Sequence, residues 1–247
     1  MGLFKRMLHP VRRAARRFAL LPLPEDGDFI GAHGCIRAAA SFMTWNQIPG
    51  DYFEFGVYRG ESFAVAYRTI EHLRAKHIAR GHTSPEYEEW KNRPPRYVAF
   101  DGFGGLPPGQ VKRHVDYHEG SYSCSEAEFR ANVAAAGVDL SRVVVVPGFY
   151  DESLNAGSRE QHKLDKVAVA MIDCDLYEST VPVLDFLTDM VQQGTILIFH
   201  DWFRFKGDPN EGEQRACNEW LAKNPQLELI EYWREAPQAV SFLVNFK

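Results

Sequence analysis

The apolar positions of this 247-residue chain change their period repeatedly between residues 36 and 245, and each change marks an element. Short runs rich in Val, Ile, Tyr and Phe read as strands: Tyr52–Phe55, Tyr97–Phe100, Val143–Val146, Val167–Ile172 and Thr195–Phe199. Val167–Ile172 is apolar throughout, as a parallel strand covered on both faces should be. Between the strands, apolar residues recur three and four apart, the spacing of a helix that buries one face. These segments are Ile36–Trp45, Ser62–His77, Ser125–Ala136, Ser179–Gln192 and Glu213–Lys223. Ser125 with Glu128 three residues on is a capping-box pattern, and Gly194 follows the fourth helix as a stop. Alternating strands and helices predict an α/β fold, a Rossmann-like doubly wound sheet that is mostly parallel. The last two strands, Glu228–Trp233 and Ala239–Asn245, read as an antiparallel hairpin at the C-terminal edge. Residues 78–95 are polar and turn-rich, an insertion loop.

Residues 1–22 break this pattern. Lys5, Arg6, Arg12, Arg13, Arg16 and Arg17 alternate with Phe4, Met7, Leu8, Val11 and Phe18, the layout of a basic amphipathic helix interrupted or started at Pro10. Such a helix suits an anionic membrane surface, or packs its apolar stripe on the domain or on a second subunit. Residues 1–45 therefore form an N-terminal helical extension and 46–247 a single domain.

Composition narrows the class. Apolar residues make up 45% and charged residues 25%, enough for a full core. The net charge of −5 argues against nucleic acid as a partner. Cys35, Cys124, Cys174 and Cys217 form no CxxC pair, so a disulfide framework or structural zinc site is not expected. No apolar run approaches the ~20 residues that span a bilayer. The expected location is the cytoplasm, with residues 1–22 able to touch the inner membrane peripherally.

The chemistry gathers at the strand ends. Glu54, Asp101, Asp173 and Asp201 each end or follow a predicted strand, where open α/β sheets bind ligands. Four like charges on one edge raise one another's pKa unless they hold something. The turn after the first strand, Gly56-Val57-Tyr58-Arg59-Gly60, lacks the GxGxxG spacing, and no GK[ST] follows. A phosphate-free nucleoside fits better. S-adenosylmethionine is one: its ribose would face Asp101 and its amine Glu54. Asp173 and Asp201 are suited to a hard cation such as Mg²⁺, with His200 beside them, whereas Asp175 or Ser179 reads as the cap of the next helix.

The segments GDYFEFGVYRGES, VAFDGFGGLP, VVPGFYDESL, MIDCDLYEST and GTILIFHDWF, in that order, resemble the macrocin O-methyltransferase family, over residues 45–205. The resemblance implies a class I S-adenosylmethionine-dependent O-methyltransferase acting on a sugar or glycosylated compound, assisted by Mg²⁺ and assembled as a homo-oligomer. Carried onto this chain, Glu54, Gly56, Gly60 and Ser62 match the methionine-side loop, Asp101 the ribose acid, and Ser125, Gly148 and Phe149 segments near adenosine. Asp173, His200 and Asp201 match metal ligands, although the family usually ends its fifth strand in Asp-Asp where this chain has His200-Asp201. A histidine is a poorer partner for Mg²⁺ than a carboxylate, so another divalent ion or none is also open. The implied base is a loop histidine, His118 before His114, with His200 as rival and Asp173 beside it. Trp45, Phe103, Tyr117, Tyr122, Phe149, Tyr150 and Trp202 could line an acceptor pocket. The competing readings are a nicotinamide-dependent oxidoreductase and a non-catalytic membrane-surface scaffold.

Overall fold

The computed structural model describes residues 33–107, 117–235 and 237–247. The amphipathic segment 1–22 and His114 lie outside them. Seven strands form one sheet in the order β3-β2-β1-β4-β5-β7-β6. They are β1 Asp51–Phe55, β2 Tyr97–Asp101, β3 Val143–Pro147, β4 Val167–Ile172, β5 Ile196–Phe199, β6 Leu227–Glu235 and β7 Ala239–Phe246. The first five pair in parallel, while β7 runs antiparallel to both β5 and β6, as the C-terminal hairpin predicts.

Two apolar layers sandwich the sheet. Helices α1 (His33–Trp45), α2 (Glu61–Ile78) and α4 (Glu126–Ala135) cover one face, where Met43, Phe63, Ile70 and Phe129 meet Tyr52 and Met171. Helices α7 (Tyr177–Leu187) and α8 (Gly212–Lys223) cover the other, where Leu184, Leu187 and Trp220 meet Phe53, Phe199 and Val244. Every residue of β4 is buried, because β4 lies in the middle of the sheet beneath both layers.

Three local features differ from the sequence reading. The 78–95 segment is not a plain loop: it holds α3, Pro85–Asn92, capped by Ser84 and started by Pro85 at its first turn. Tyr87 and Trp90 bury themselves on the C-terminal end of α2, with the Arg74 guanidinium 4.0 Å from the Trp90 ring. Apolar spacing missed α3 because only two of its eight residues point inward. Two short helices, α5 (Tyr150–Ser153) and α6 (Ala156–Gln161), follow β3 where the sequence pattern shows no period. Finally, α7 starts at Tyr177 rather than Ser179, with Leu176 at its cap and no side-chain capping bond.

Candidate functional site

Strand order reverses between β1 and β4, and a pocket of about 590 Å³ opens at the carboxyl ends of the strands there. Gly56, Asp101, Phe149, Asp173, His200 and Asp201 line it, together with Asp175 and Arg204. Glu54, Gly60, Ser62, Ser125 and Gly148 stand outside its lining, and His118 sits on an exposed turn.

On the β1–β2 side the protein supplies its own partners for the acids. Asp101 accepts the Val57 and Tyr58 N–H groups on one oxygen, at 2.9 and 3.1 Å, and the Phe103 N–H on the other, at 2.6 Å. Burial raises its pKa, and these three donors oppose the rise. The glycines of the turn are sterically required. Gly56 takes φ +87°, and a Cβ there would lie 1.9 Å from the Asp173 carbonyl oxygen. Gly60, at φ +85° on the N-terminus of α2, would drive a Cβ into Val133 at 2.4 Å.

Glu54 is fully buried, with the Tyr52 hydroxyl donating to one oxygen and the Ser62 hydroxyl to the other, at 2.6 Å. Burial outweighs those bonds and pushes its carboxyl up to about 8. It therefore braces the turn from within instead of presenting a free carboxylate. Ser125 caps α4, accepting the Glu128 N–H at 3.2 Å. The Phe149 ring lies against Gly102, where a Cβ would come within 3.1 Å.

The β4–β5 side is arranged differently. His200 Nδ1 is 2.7 Å from Asp173 Oδ1, and the Arg204 Nε donates to Asp201 Oδ1 at 3.0 Å. Burial works against a charged imidazole, but Asp173, Asp201 and Asp175 together overcome it and hold His200 raised to about 10. Asp175 is not the helix cap. Its left-handed φ of +61° places it in the pocket wall, leaving Leu176 at the cap. Burial and the charges of Asp201 and Asp173 raise the Asp175 pKa well above the carboxylate range, and the Tyr117 hydroxyl opposes this. Asp201 Oδ2 is buried and receives no hydrogen bond from the described N–H or hydroxyl groups.

This donor set fits a cation. Ligand atoms of Asp173, His200 and Asp201 lie within 4.8 Å of one another, and an orphaned, buried carboxylate oxygen is among the groups a divalent ion would satisfy. Of the aromatic candidates, Tyr122, Phe149 and Tyr150 line the pocket. Trp45 does not: it packs on His77 at 5.8 Å, at the far end of α2. Phe103 packs on Phe129, and Trp202 sits 5.0 Å from both Phe199 and Phe242. The sequence reading passed over Tyr58, Arg204 and Glu213. Arg204 lies just beyond β5 and Glu213 at the start of the predicted Glu213–Lys223 helix, where no spacing or motif marks either as a site residue.

Comparison with known proteins bears on this geometry. The family profile described as macrocin-O-methyltransferase (TylF) matches residues 86–215. The chain is similar to demethyldecarbamoylnovobiocin O-methyltransferase of Streptomyces niveus, 30% identical over 167 residues, 68% of this chain and 58% of that protein. It is also similar to 8-demethyl-8-(2,3-dimethoxy-alpha-L-rhamnosyl)-tetracenomycin-C 4'-O-methyltransferase of Streptomyces olivaceus, 26% identical over 162 residues, 63% of this chain and 54% of that one. The aligned region thus spans little more than half the length of each relative. Among solved structures, the O-methyltransferase NovP shares the fold with a TM-score of 0.63 at 24% identity, covering 85% of this chain and 78% of NovP. A calicheamicin methyltransferase does so with a TM-score of 0.60 at 22% identity, covering 94% and 90%.

Proposed function

Because the chain belongs to the macrocin O-methyltransferase family, we propose that it transfers the methyl group of S-adenosylmethionine to a hydroxyl of a sugar or sugar-bearing natural product. One observation carries the proposal: a glycine turn with its acid Asp101, and a cation-fitting trio of Asp173, His200 and Asp201, face the same pocket across the switch point. The rhamnosyl group in the name of the Streptomyces olivaceus relative supports a sugar acceptor.

The donor supplies an electrophilic methyl on a sulfonium. Its methionine end takes the Gly56–Gly60 turn, held in shape by Glu54 through Ser62. Asp101 takes the ribose and Phe149 the adenine face. On the acceptor side, Tyr58 and Tyr122 meet edge-on at 5.9 Å and offer apolar faces to a sugar ring. Asp173, His200 and Asp201 would hold a divalent cation such as Mg²⁺, which lowers the pKa of a hydroxyl bound beside it. Asp173 takes the hydroxyl proton, and His200 fixes the orientation of that carboxylate at 2.7 Å. The remaining contribution is alignment, since an in-line displacement needs its two reactants held face to face.

Calorimetry with S-adenosylhomocysteine, followed by transfer of labelled methyl to a panel of deoxysugar glycosides, tests this reading. Micromolar binding and a labelled glycoside are expected; stronger binding of NAD than of S-adenosylhomocysteine would overturn it. In the same assay Asp173→Asn removes turnover, whereas His118→Ala, on its exposed turn, leaves at least a third. The opposite pattern would make His118 the base.

A further inference from the structure

The first turn of α8 carries a side chain that covering the sheet does not call for. The helix buries Ala216, Cys217 and Trp220 against the sheet, and on the same buried side, one turn earlier, it places Glu213, 1% exposed. A carboxylate in that position is unfavourable unless it has a task. Its Oε2 accepts the Asp201 N–H at 3.0 Å, and the next side chain, Gln214, donates from Nε2 to the Trp202 carbonyl at 2.6 Å.

Two neighbouring side chains thus hold the peptide groups on either side of the Asp201–Trp202 bond, just beyond β5. The loop between them is closed by two further features. Arg204 returns to Asp201 at 3.0 Å, and Gly212, at φ +53°, packs so close to Phe205 that a Cβ would lie 2.8 Å from its ring. The indole of Trp202, wedged between Phe199 and Phe242, pins the outer side of the same corner.

We infer that Glu213 is a positioning residue: with Gln214 it fixes the backbone of the His200–Asp201 corner from behind, so that the Asp201 carboxyl faces the pocket. The inference rests on the methyltransferase reading for its consequence in turnover, but not for the bond itself. A hydrogen bond accepted by a buried side chain, from the amide of the very residue that points into a site, controls where that residue's carboxyl goes. Donor contacts come from the β1 and β2 turns on the far side of the pocket, so they should be insensitive to it.

The test uses the full chain carrying Glu213→Ala, Glu213→Gln and Gln214→Ala. Amide exchange at Asp201 is followed by NMR, with no acceptor present. Affinity for S-adenosylhomocysteine is measured by calorimetry, and methyl transfer to methyl α-L-rhamnopyranoside by label. Glu213→Ala should speed Asp201 exchange at least 100-fold and lower kcat 10- to 100-fold, with donor KM and inhibitor affinity within two-fold of the parent. Glu213→Gln, which keeps an oxygen acceptor in place, should restore both to within about three-fold, and Gln214→Ala should fall between. Unchanged Asp201 exchange in Glu213→Ala overturns the inference, as does an equal loss in the Ala and Gln variants. Loss of donor affinity in step with kcat would mean general collapse and overturns it too. A parent protein that binds no S-adenosylhomocysteine, yet shows the exchange pattern, sinks the methyltransferase reading and leaves the brace standing.

Discussion

The two halves of the pocket treat negative charge in opposite ways. At the ends of β1 and β2, protein donors reach every carboxylate oxygen: Asp101 has three N–H partners and Glu54 two hydroxyls. At the ends of β4 and β5, Asp173, Asp175 and Asp201 crowd together with one imidazole, one guanidinium and one phenol among them, and a buried oxygen of Asp201 gets no N–H. A satisfied acid shapes a wall. In the second half one buried carboxylate oxygen, Asp201 Oδ2, is left for a further donor or cation to meet. The first half is therefore braced by the protein's own donors, and the second is where the proposed chemistry is placed.

The largest expected effect comes from the second half. Asp173→Asn should reduce methyl transfer by about 1,000-fold or more while S-adenosylhomocysteine affinity changes less than about five-fold, measured by single-turnover kinetics and calorimetry. An equal loss in both quantities would mean that the two halves are not separable.

In the first half, Asp101→Ala should cost both binding and stability. It orphans three backbone N–H groups, so a loss of about 2–4 kcal/mol in urea unfolding is expected, together with at least ten-fold weaker donor binding. Unchanged donor affinity would remove Asp101 from the donor site.

The test with the smallest expected effect on donor binding concerns Glu54. Its folded pKa, about 8, lies above the ordinary carboxylate value, so the folded state holds a proton that the unfolded state has released. Stability should therefore be greatest below about pH 4.5 as far as this group is concerned, and fall as pH rises towards 8. The total is no more than about 5 kcal/mol. Glu54→Gln should flatten that slope in thermal melts between pH 5 and 9, and leave donor affinity within about three-fold. A ten-fold loss of affinity would instead show that Glu54 meets the donor directly.

Much of the scaffold was legible in the sequence because burial imposes a period. Short runs rich in Val, Ile, Tyr and Phe marked the five parallel strands, and Ser125 with Glu128 marked a helix start that the structure keeps. Where burial is partial the signal faded: α3 hides two aromatic rings and exposes most of the rest, so its composition resembled a loop. The residues at the strand ends could be located from strand-end acids alone, but their division of labour could not. That Glu54 points into the protein while Asp175 turns towards the pocket depends on neighbours far away in sequence, Tyr52 and Ser62 for one and a left-handed backbone at residue 175 for the other. Glu213 carried no local mark, because its partner is the amide of Asp201, a group every residue possesses.

The near-contact of Gly56 with the Asp173 carbonyl has a consequence for evolution within this fold. With no side chain between them, the peptide groups of Gly56 and Asp173 form part of the pocket wall, and its position there is set by the β1–β4 pairing and not by any replaceable side chain. Under the methyltransferase proposal, substitutions at Tyr58 or Tyr122 would change the acceptor's surroundings while leaving this stretch of wall in place.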